Sequence, residues 1–366
     1  MVQQPLPCSK HNVKLGIMKK TLVFTILTIA LLTGCGKRPA ETVAVTPYEP
    51  EGYIAESELT EAGKDPQTAA SELEPINNYD TKLSVPTCIT QIDGTWFIVD
   101  CYHNRVIYSD TLGVPLTDWR IMTTEVTQPH TIASDGTVYM IDDTENNKVR
   151  IFEKVDGVFL QTQVFYDIGN RPHYTVYDKA TDTFYVWSSI TGELYCFRRD
   201  SSSTRVYLTD IRKVDDLDGI YVRSFSIIDG DIYFVSGISD SDSEATSKIY
   251  RCDLSDLSVK EKIDVPSALA GMAQITKIQD YYYITVSTDA SGSQDSATLV
   301  RTKSLHDLMQ GEYEDIYSQY FVGGGTPYYI SEVDDTYFLT EHRLADHGIW
   351  SFKIKNNDIT EVTPLY

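Results

Sequence analysis

From about residue 79 to the C-terminus, short runs of alternating apolar and polar residues are separated by residues that favour turns. Segment 128–153 is the clearest example: an apolar run, the turn Asp135-Gly136, a second run that ends in acidic residues, the turn Asn146-Asn147 and a third run. A period of two is typical of a strand with one buried face, and an Asp-Gly pair between two such runs is typical of a hairpin. The pattern predicts a chain of short antiparallel strands.

The same pattern recurs along the chain at a regular spacing. Pro86, Pro129 and Pro172 are 43 residues apart. An acidic residue follows fourteen positions after an opening proline in three units, at Asp100, Asp143 and, after Pro327, Glu341. Six such units of about 48 residues fit into 79–366, which indicates an internal repeat. Four-stranded units of this length are typical of β-propeller blades, so we predict an all-β, six-bladed β-propeller.

The predicted strands follow from laying the six units over one another. First and second strands are expected at 87–92 and 95–100, 130–133 and 137–142, 174–177 and 183–188, 224–228 and 231–236, 273–278 and 281–287, and 328–333 and 336–340. Third strands are expected at 105–109, 148–152, 193–198, 248–253, 298–302 and 348–354. Segment 358–364 is expected to be the fourth strand of the last blade; the alternative is that 78–84 joins that blade and locks the termini together.

Two turns between second and third strands carry a more specific signature. Asp100-Cys-Tyr-His-Asn104-Arg105-Val106 and Asp143-Thr-Glu-Asn146-Asn147-Lys148-Val149 resemble the corresponding turns of NHL repeats. The resemblance is specific over about 70 residues and is weaker in the later units. It implies the propeller fold, but the NHL family includes enzymes, binding modules and protein-interaction platforms, so it leaves the function open.

The N-terminal part predicts export and a lipid anchor. Segment 18–34 has the basic start and the short apolar core of a signal peptide, and it is too short for a comfortable membrane span. Leu32-Thr33-Gly34-Cys35 resembles the lipobox of bacterial lipoproteins, which implies cleavage before Cys35, its acylation, and attachment to the outer face of the cell membrane. A plain signal peptide or a short anchor is the alternative. Residues 1–17 precede this signal, and we interpret them as a mis-called upstream segment with Met18 as the true start.

Segment 35–78 is predicted to be a flexible tether. It is rich in proline and glutamate and has no apolar period, although a short helix at 55–62 is conceivable. The propeller is expected to occupy 79–366.

The cysteines are expected to be free and buried in spite of the export signal. A two-residue turn at Asp93-Gly94 pairs Cys88 with residue 99, which leaves Cys101 diagonal to Cys88 and about 7–8 Å away, beyond the usual reach of a disulfide. Cys196 and Cys252 complete the set.

Charge excludes some classes of partner. The chain has 53 acidic and 31 basic residues, a formal charge of -22. Nucleic acid needs a basic face, so it is excluded as a partner, and polyanionic substrates are disfavoured except at a locally basic pocket.

The repeat predicts where a ligand would bind. In a propeller, the first strand of each blade begins at the face that carries the loops between second and third strands, so residues at both positions meet at one mouth of the central channel. The predicted ligand-binding residues are Thr87, Arg105, His130, Asp143, His173, Tyr328 and Glu341, with Lys148, Arg171 and His342 nearby. For Asp100, Asp143 and Glu341 the alternative is a structural role, in which each carboxylate caps a turn or pairs with a cation.

Metal binding is the weaker hypothesis for the same mouth. His130 and His173 occupy equivalent positions in adjacent blades and could hold zinc or another divalent ion together with a carboxylate. Resemblance to NHL-like lyases implies a histidine-rich metal centre, but a third histidine at a matching position is missing. No G-x-S-x-G, HExxH or Walker sequence is present. The acidic loop 240–244 lacks the glycine and glutamate of a calcium-binding EF-hand loop and is expected to be solvated.

Three functions therefore remain open. The first is non-enzymatic binding of a glycan, peptide or partner protein at the mouth with His130, His173 and Tyr328. The second is a metal-dependent lyase or hydrolase at the same mouth, with Glu341 or Asp143 as base. The third is a scaffold of the cell envelope that recruits proteins through its outer blade surfaces. The 25 tyrosines favour a glycan ligand, because sugar rings stack on exposed aromatic faces, although packing in the core explains most of them.

Overall fold

The computed structural model describes residues 55–56, 58–59, 73–237, 246–344 and 346–366. Segment 1–17, the predicted signal peptide at 18–34, Cys35 and most of the predicted tether lie outside the described residues, as does the acidic loop 240–244. Within the described ranges, no helix has the length and apolar character needed to cross a membrane.

Six antiparallel sheets form the six blades of a propeller. Blade 1 contains β4 (Pro86–Ile92), β5 (Thr95–Asp100), β6 (Arg105–Ser109) and β7 (Arg120–Thr123), and blade 2 contains β8 (Ile132–Ser134), β9 (Val138–Asp143), β10 (Lys148–Val155) and β11 (Val158–Phe165). Blade 3 contains β12 (Pro172–Asp178), β13 (Thr183–Ser188), β14 (Glu193–Arg199) and β15 (Val206–Lys213), and blade 4 contains β16 (Val222–Ile228), β17 (Asp231–Ser236), β18 (Lys248–Asp253) and β19 (Val259–Asp264). Blade 5 contains β20 (Met272–Ile278), β21 (Tyr281–Val286), β22 (Thr298–Thr302) and β23 (Glu314–Asp315), and blade 6 contains β24 (Thr326–Val333), β25 (Thr336–His342), β26 (Ile349–Lys355) and β27 (Asp358–Pro364).

Short helical turns connect the strands. They are 3-10 turns at Cys101–His103, Leu116–Asp118, Thr144–Asn146, Asp215–Leu217, Ser267–Leu269, Gln294–Ser296 and Leu305–Gln310, and the α-helix α1 at Tyr317–Tyr320.

The predicted architecture is confirmed. Six blades of four strands are present, and several strands, such as β5, β13 and β17, have the predicted bounds. One first strand differs clearly: β8 begins at Ile132 rather than at residue 130. The backbone N–H groups of His130 and Thr131 are bonded to the carboxylate of Asp142, so they do not take part in the strand ladder.

A β-bulge recurs where the first strand of a blade begins. In five blades the pairing between the first and second strands slips at this point, between Pro86 and Cys88, Pro172 and Tyr174, Val222 and Phe225, Met272 and Gln274, and Pro327 and Ile330. A bulge changes the direction in which a side chain points. Thr87, His173 and Tyr328 each lie inside one of these bulges, which explains why the position after the opening proline is special.

The core lies between neighbouring blades. Separate clusters of buried apolar side chains fill the interfaces, and a further cluster joins blade 6 to blade 1. Trp187 of blade 3 packs on Phe234 of blade 4 with ring centroids 4.3 Å apart. Burial of such rings is worth about 1.5–3 kcal/mol each, so the interfaces hold the ring of blades together.

Contacts of the C-terminal residue close the ring. Segment 358–364 forms the fourth strand of blade 6, as predicted, and the alternative in which 78–84 joins that blade is wrong. Tyr366 packs edge-to-face on Trp119 of blade 1, with centroids 5.8 Å apart. Its hydroxyl accepts hydrogen bonds from the backbone N–H of Gly113 at 2.9 Å and from Nε1 of Trp119 at 3.2 Å.

Three short segments of the predicted tether pair with blades of the propeller. β1 (Ala55–Glu56), β2 (Glu58–Leu59) and β3 (Ile76–Asn77) pair with the outer strands of blades 3, 2 and 1, respectively. The described residues of 55–62, where a short helix was an option, are therefore strands. The physical reason is that the outer strand of each blade has unpaired backbone groups, to which an extended segment can bond.

The four described cysteines, Cys88, Cys101, Cys196 and Cys252, are free, as predicted. Three of them are fully buried and Cys88 is partly buried.

Candidate functional site

Three of the predicted ligand-binding residues meet at the end of the channel where the first strands begin, which we call the N-side mouth. The imidazole rings of His130 and His173 stack with centroids 3.6 Å apart and planes inclined by 25°. The ring of Tyr328 lies 6.2 Å from that of His130 and 6.4 Å from that of His173. All three side chains are buried.

Tyrosine hydroxyl groups and one carbonyl group orient His173. Its Nδ1 lies 2.9 Å from the carbonyl oxygen of Arg223, which can only accept, so Nδ1 carries the proton. Its Nε2 is then an acceptor for the hydroxyl groups of Tyr221 at 3.0 Å and Tyr328 at 3.3 Å. The hydroxyl of Tyr329 donates to the same carbonyl oxygen of Arg223 at 3.0 Å.

Thr144 of blade 2 orients His130. The Thr144 hydroxyl donates to the carbonyl oxygen of Pro172 at 2.8 Å, so it accepts the Nδ1 proton of His130 at 2.9 Å. Nε2 of His130 faces the thiol of Cys101 at 3.8 Å. Both histidines therefore present Nε2 as the unprotonated nitrogen.

Asp142 is a buried carboxylate one layer deeper in the channel. It accepts the backbone N–H of His130 at 2.6 Å and of Thr131 at 2.9 Å. The hydroxyl groups of Thr131 and Thr175 also donate to it. These bonds tie blade 2 to the first strand of blade 3.

Burial sets the protonation states in this layer. Burial lowers the pKa of His130 and that of His173 well below 6.5, and nearby positive groups lower them further, among them Arg171 and Arg223. Burial raises the pKa of Asp142 to about 6 although its hydrogen bonds oppose the shift. Burial also raises the pKa of Tyr328 well above 10. At neutral pH the two stacked imidazoles and the tyrosine are uncharged.

Two arginines stand above this layer at the N-side mouth. The guanidinium carbon of Arg223 lies 4.8 Å from the ring centre of Tyr221, and that of Arg171 lies 5.9 Å from it. Nη1 of Arg171 pairs with Glu145 at 2.7 Å. The ring of His342 lies 4.5 Å from that of Tyr328. We call Arg171, Tyr221, Arg223 and His342 the cationic cluster.

The turn between β9 and β10 of blade 2 positions Arg171. Asn147 adopts the left-handed conformation with φ 53°, which asparagine tolerates better than most residues. Its Oδ1 accepts the backbone N–H of Arg171 at 2.8 Å. Asn104 makes the equivalent bond to Gln128 at 2.9 Å. The two turns share this geometry, which sets how the chain enters the next blade.

The other predicted site residues lie apart from the histidine pair. Arg105 and Asp100 form an ion pair at 2.7 Å, and Asp143 binds Nε of Arg150 at 2.7 Å. Glu341 accepts hydrogen bonds from Nε1 of Trp350 at 3.0 Å and from the hydroxyl of Tyr317.

These contacts correspond to the structural alternative for the three carboxylates, because each is engaged in bracing turns and strands. Thr87 is buried in its bulge, where its hydroxyl lies 3.5 Å from the carbonyl oxygen of Pro129. It makes no hydrogen bond to the histidine pair within the described part of the chain.

The geometry of the two histidines does not converge on one point. An imidazole binds a metal ion near its own ring plane, along the lone pair of one nitrogen, and nearly parallel rings 3.6 Å apart have no such point in common. Among the residues in the described ranges, no three His, Cys, Asp or Glu side chains are grouped as metal ligands.

Several residues of this layer were not predicted from the sequence. They are Asp142, Tyr221, Arg223 and Tyr329. The fourteen-residue spacing pointed to Asp143 rather than to its neighbour Asp142, since both are acidic and end the same strand. Alternation along β9 places the two side chains on opposite faces and is the signal that could have separated them.

A cavity of about 760 Å³ opens at the opposite end of the channel, where the first strands end. We call it the C-side cavity. Its wall contains residues from the first strands of all six blades, among them Thr90, Ser134, Thr175, Ser226, Thr276 and Ser331. The sequence predicted a ligand site at the N-side mouth and did not predict the C-side cavity.

The wall of the C-side cavity is polar and mostly uncharged. Every first strand lies at the edge of its sheet, so its outward backbone N–H and C=O groups face the channel. Thr90 and Thr276 are partly exposed, and their hydroxyl groups form no hydrogen bond with described residues. Four of its lining residues are charged: Asp178, Asp229, Glu332 and Lys277. Lys277 pairs with Asp229 at 2.6 Å.

Comparison with known proteins supports the fold. No protein-family model and no curated protein sequence match the chain. It is similar to the solved structure of a streptogramin B lyase, with 14% identity over 80% of this chain and 87% of that one and a TM-score of 0.51. It is also similar to a protein of Bacteroides fragilis titled a putative 6-phosphogluconolactonase, with 12% identity over 77% and 85% of the two chains and a TM-score of 0.53. At these identities the likeness establishes the propeller fold alone.

Proposed function

We propose that this protein is a lipid-anchored, extracytoplasmic propeller that binds a neutral, hydroxyl-rich ligand, a glycan, in its C-side cavity without transforming it. The observation that carries the proposal is the composition of the cavity wall. All six blades contribute to it, and it combines backbone edges and hydroxyl groups with few charges. A volume of about 760 Å³ lies in the range of small-molecule sites.

The chemistry of the wall favours a neutral glycan over a charged ligand. Free hydroxyl groups at Thr90 and Thr276 can exchange hydrogen bonds with sugar hydroxyl groups. The rings of Tyr174, Phe225 and Tyr329 supply apolar surface deeper in the cavity. An anionic ligand would meet Asp178 and Glu332 without a compensating free cation, because Lys277 is engaged by Asp229.

The other functions have less support. Peptide or partner-protein binding would use the same backbone edges but would favour a longer, open groove. The metal-dependent lyase or hydrolase stays an untested alternative, and in this structure its expected bases, Asp143 and Glu341, are engaged in structural hydrogen bonds. The scaffold hypothesis concerns the outer surfaces of the blades and is independent of the channel.

The test is calorimetric titration of the full chain, purified in detergent, with neutral oligosaccharides of two to four hexose or N-acetylhexosamine units. Thr276→Trp fills part of the cavity and is expected to weaken binding at least tenfold. Thr90→Val removes one hydroxyl with little change in volume and is expected to weaken it several-fold. Thr363→Trp is the matched control, since Thr363 is exposed on the outer strand of blade 6.

Two results would overturn the proposal. One is that no neutral oligosaccharide of the panel binds in a saturable manner. The other is that the Thr276 and Thr90 variants bind a sugar as tightly as the natural chain does, which would place its site elsewhere.

A further inference from the structure

We propose that the cationic cluster at the N-side mouth is a binding site for a small oxyanion, that is, a carboxylate or phosphate group. This inference goes beyond the proposed function, because the neutral ligand of that proposal occupies the other end of the channel. Three observations support such a site: the placement of the two arginines, a buried donor of Arg171 that has no partner, and the contrast with the charge of the whole chain.

The two arginines share one aromatic platform. Their guanidinium carbons lie 4.8 and 5.9 Å from the ring centre of Tyr221. The Tyr221 ring is itself held by the bond from its hydroxyl to Nε2 of His173 at 3.0 Å. The backbone of Arg171 is also fixed: its N–H donates to Oδ1 of Asn147, and its carbonyl oxygen accepts the N–H of Ser189. Two positive groups are thus fixed beside each other, although like charges repel.

A donor without a partner lies in the same cluster. Nε of Arg171 is buried and has no hydrogen-bond partner among the described residues. A buried N–H group that lacks an acceptor costs about 1–3 kcal/mol, so native structures rarely leave one unused. This donor, on an arginine that also packs on Tyr221, indicates that a ligand supplies the missing acceptor.

The available donors match an oxyanion. Nη1 of Arg171 is engaged by Glu145, but its Nε is not. Arg223 takes part in no ion pair with another described residue, and its Nη1 makes a long hydrogen bond of 3.4 Å to the carbonyl oxygen of Met272. Guanidinium groups present donors in a planar fork that fits a carboxylate or phosphate.

The site is reachable and is selective for small anions. The Arg171 side chain is 33% exposed, so the cluster opens to solvent. The whole chain carries a charge of -22, which repels nucleic acids and other long polyanions from the surrounding surface. A single oxyanion needs only the local positive field at the mouth.

The experiment is a thermal-shift and calorimetric titration of the full chain in detergent with sodium phosphate and with sodium acetate, against sodium chloride at equal ionic strength. We expect a saturable rise in melting temperature with at least one of the two oxyanions and none with chloride. A response to phosphate alone assigns a phosphate group as the ligand, and a response to acetate alone assigns a carboxylate.

Substitutions then locate the site. Arg223→Gln is expected to weaken oxyanion binding at least tenfold, and Arg223→Lys by a smaller factor, because lysine keeps the charge but loses the fork. Arg120→Gln removes one positive charge at an exposed position of blade 1 and is the matched control for net charge. Thr276→Trp, which fills part of the C-side cavity, is expected to leave oxyanion binding unchanged. The oxyanion proposal and the glycan proposal can therefore be refuted independently of each other.

A measurement on the natural chain keeps the proposal testable if the Arg223 variants do not fold. Addition of phosphate or acetate is expected to shift the imidazole nuclear magnetic resonances of His173 and His342 and to leave those of exposed His306 in place. The proposal is overturned if neither oxyanion produces a saturable shift, or if Arg120→Gln weakens binding as much as Arg223→Gln does.

Discussion

The rings of His130 and His173 stack with their centroids 3.6 Å apart, although the two residues belong to different blades. His173 reaches this position from the bulge at the start of β12, and His130 from the segment that Asp142 holds before β8. Nε2 of His173 is bonded to Tyr221 of the cationic cluster, and its Nδ1 lies 3.2 Å from the hydroxyl of Tyr329, which lines the C-side cavity. The pair therefore contacts residues of both proposed sites, and its burial makes its protonation matter for stability.

Acid is expected to destabilise the protein from about pH 6.5 downward. Burial, with a further effect of Arg223, lowers the pKa of His342 to about 3, and burial lowers the pKa of His130 and that of His173 well below 6.5. An imidazole with a lowered pKa contributes stability above pH 6.5 that is lost as the pH falls, because the unfolded chain binds the proton first. Asp142 acts in the opposite direction: its pKa is raised to about 6, so acid relieves its cost of burial.

Protonation of the three imidazoles is expected to lower the free energy of unfolding by more than protonation of Asp142 raises it. The melting temperature should therefore fall by about 5 °C or more between pH 7.5 and pH 5. The dependence is measured by circular dichroism at fixed ionic strength. His342→Gln is expected to flatten it, whereas His306→Gln, at a residue whose side chain is 66% exposed, is expected to leave it unchanged. A melting temperature that stays constant over this range would contradict the prediction.

Asp142→Asn is expected to destabilise the propeller by about 2–4 kcal/mol. The carboxylate accepts two backbone N–H groups and two threonine hydroxyl groups, and an amide has only one oxygen and adds donors of its own. Urea unfolding measures the change. Asp229→Asn is the control, because the Asp229 carboxylate is 76% exposed and pairs with Lys277 alone among the described residues, so its loss should have a small effect. Equal stabilities of the two variants would show that the Asp142 network is not important.

Tyr366→Phe is expected to weaken closure of the ring by about 1–2 kcal/mol. The substitution keeps the contact with the Trp119 ring but leaves the buried Nε1 of Trp119 and the N–H of Gly113 without their acceptor. Tyr102→Phe serves as the control, since Tyr102 is 61% exposed. Both are compared by thermal melting, and a Tyr366 variant that melts with the natural chain would rule out a role of its hydroxyl in closure.

Cys35→Ser is expected to release the protein from the membrane. The lipobox resemblance implies acyl chains on this residue, and two or three chains give a stable anchor. Fractionation of cells into membrane and soluble parts, together with metabolic labelling by a fatty acid, measures the effect. Cys101→Ser is the control, because its thiol is fully buried in the propeller. Labelling that persists in the Cys35 variant would disprove acylation at this position.

Much of the fold could be predicted because each repeat unit is recognisable from local sequence patterns. The turn at Asp93-Gly94 sets the pairing of residue 92 with 95, and the strand that follows has the predicted bounds. Alternation and turn residues act over a few positions, so they are readable without knowledge of the rest of the chain. The outer pairing of β1, β2 and β3 was not predicted, since those segments have no strand pattern and gain their partners only when the blade edges exist.

The candidate site could be predicted in part. The position after the opening proline pointed to His130, His173 and Tyr328, which meet at the N-side mouth. His173 and Tyr328 lie in β-bulges, whereas the Asp142 carboxylate holds the backbone of His130. The same reasoning favoured Asp143 and Glu341, whose carboxylates are instead used by Arg150 and Trp350. These partners lie in the same blade, seven and nine positions further along the chain, so the face of the strand on which each carboxylate lies decides whether it braces a turn.

The sequence by itself determined the number of blades, the order of their strands and the positions at which the chain turns, because each of these depends on patterns within a single unit. Only the tertiary structure decided that Arg171, Tyr221, Arg223 and His342 share one mouth and that a polar cavity opens at the other. Those groups come from different blades, so closure of the ring is what brings them together. Burial in the closed channel is also what keeps the histidines neutral, and no local pattern encodes it.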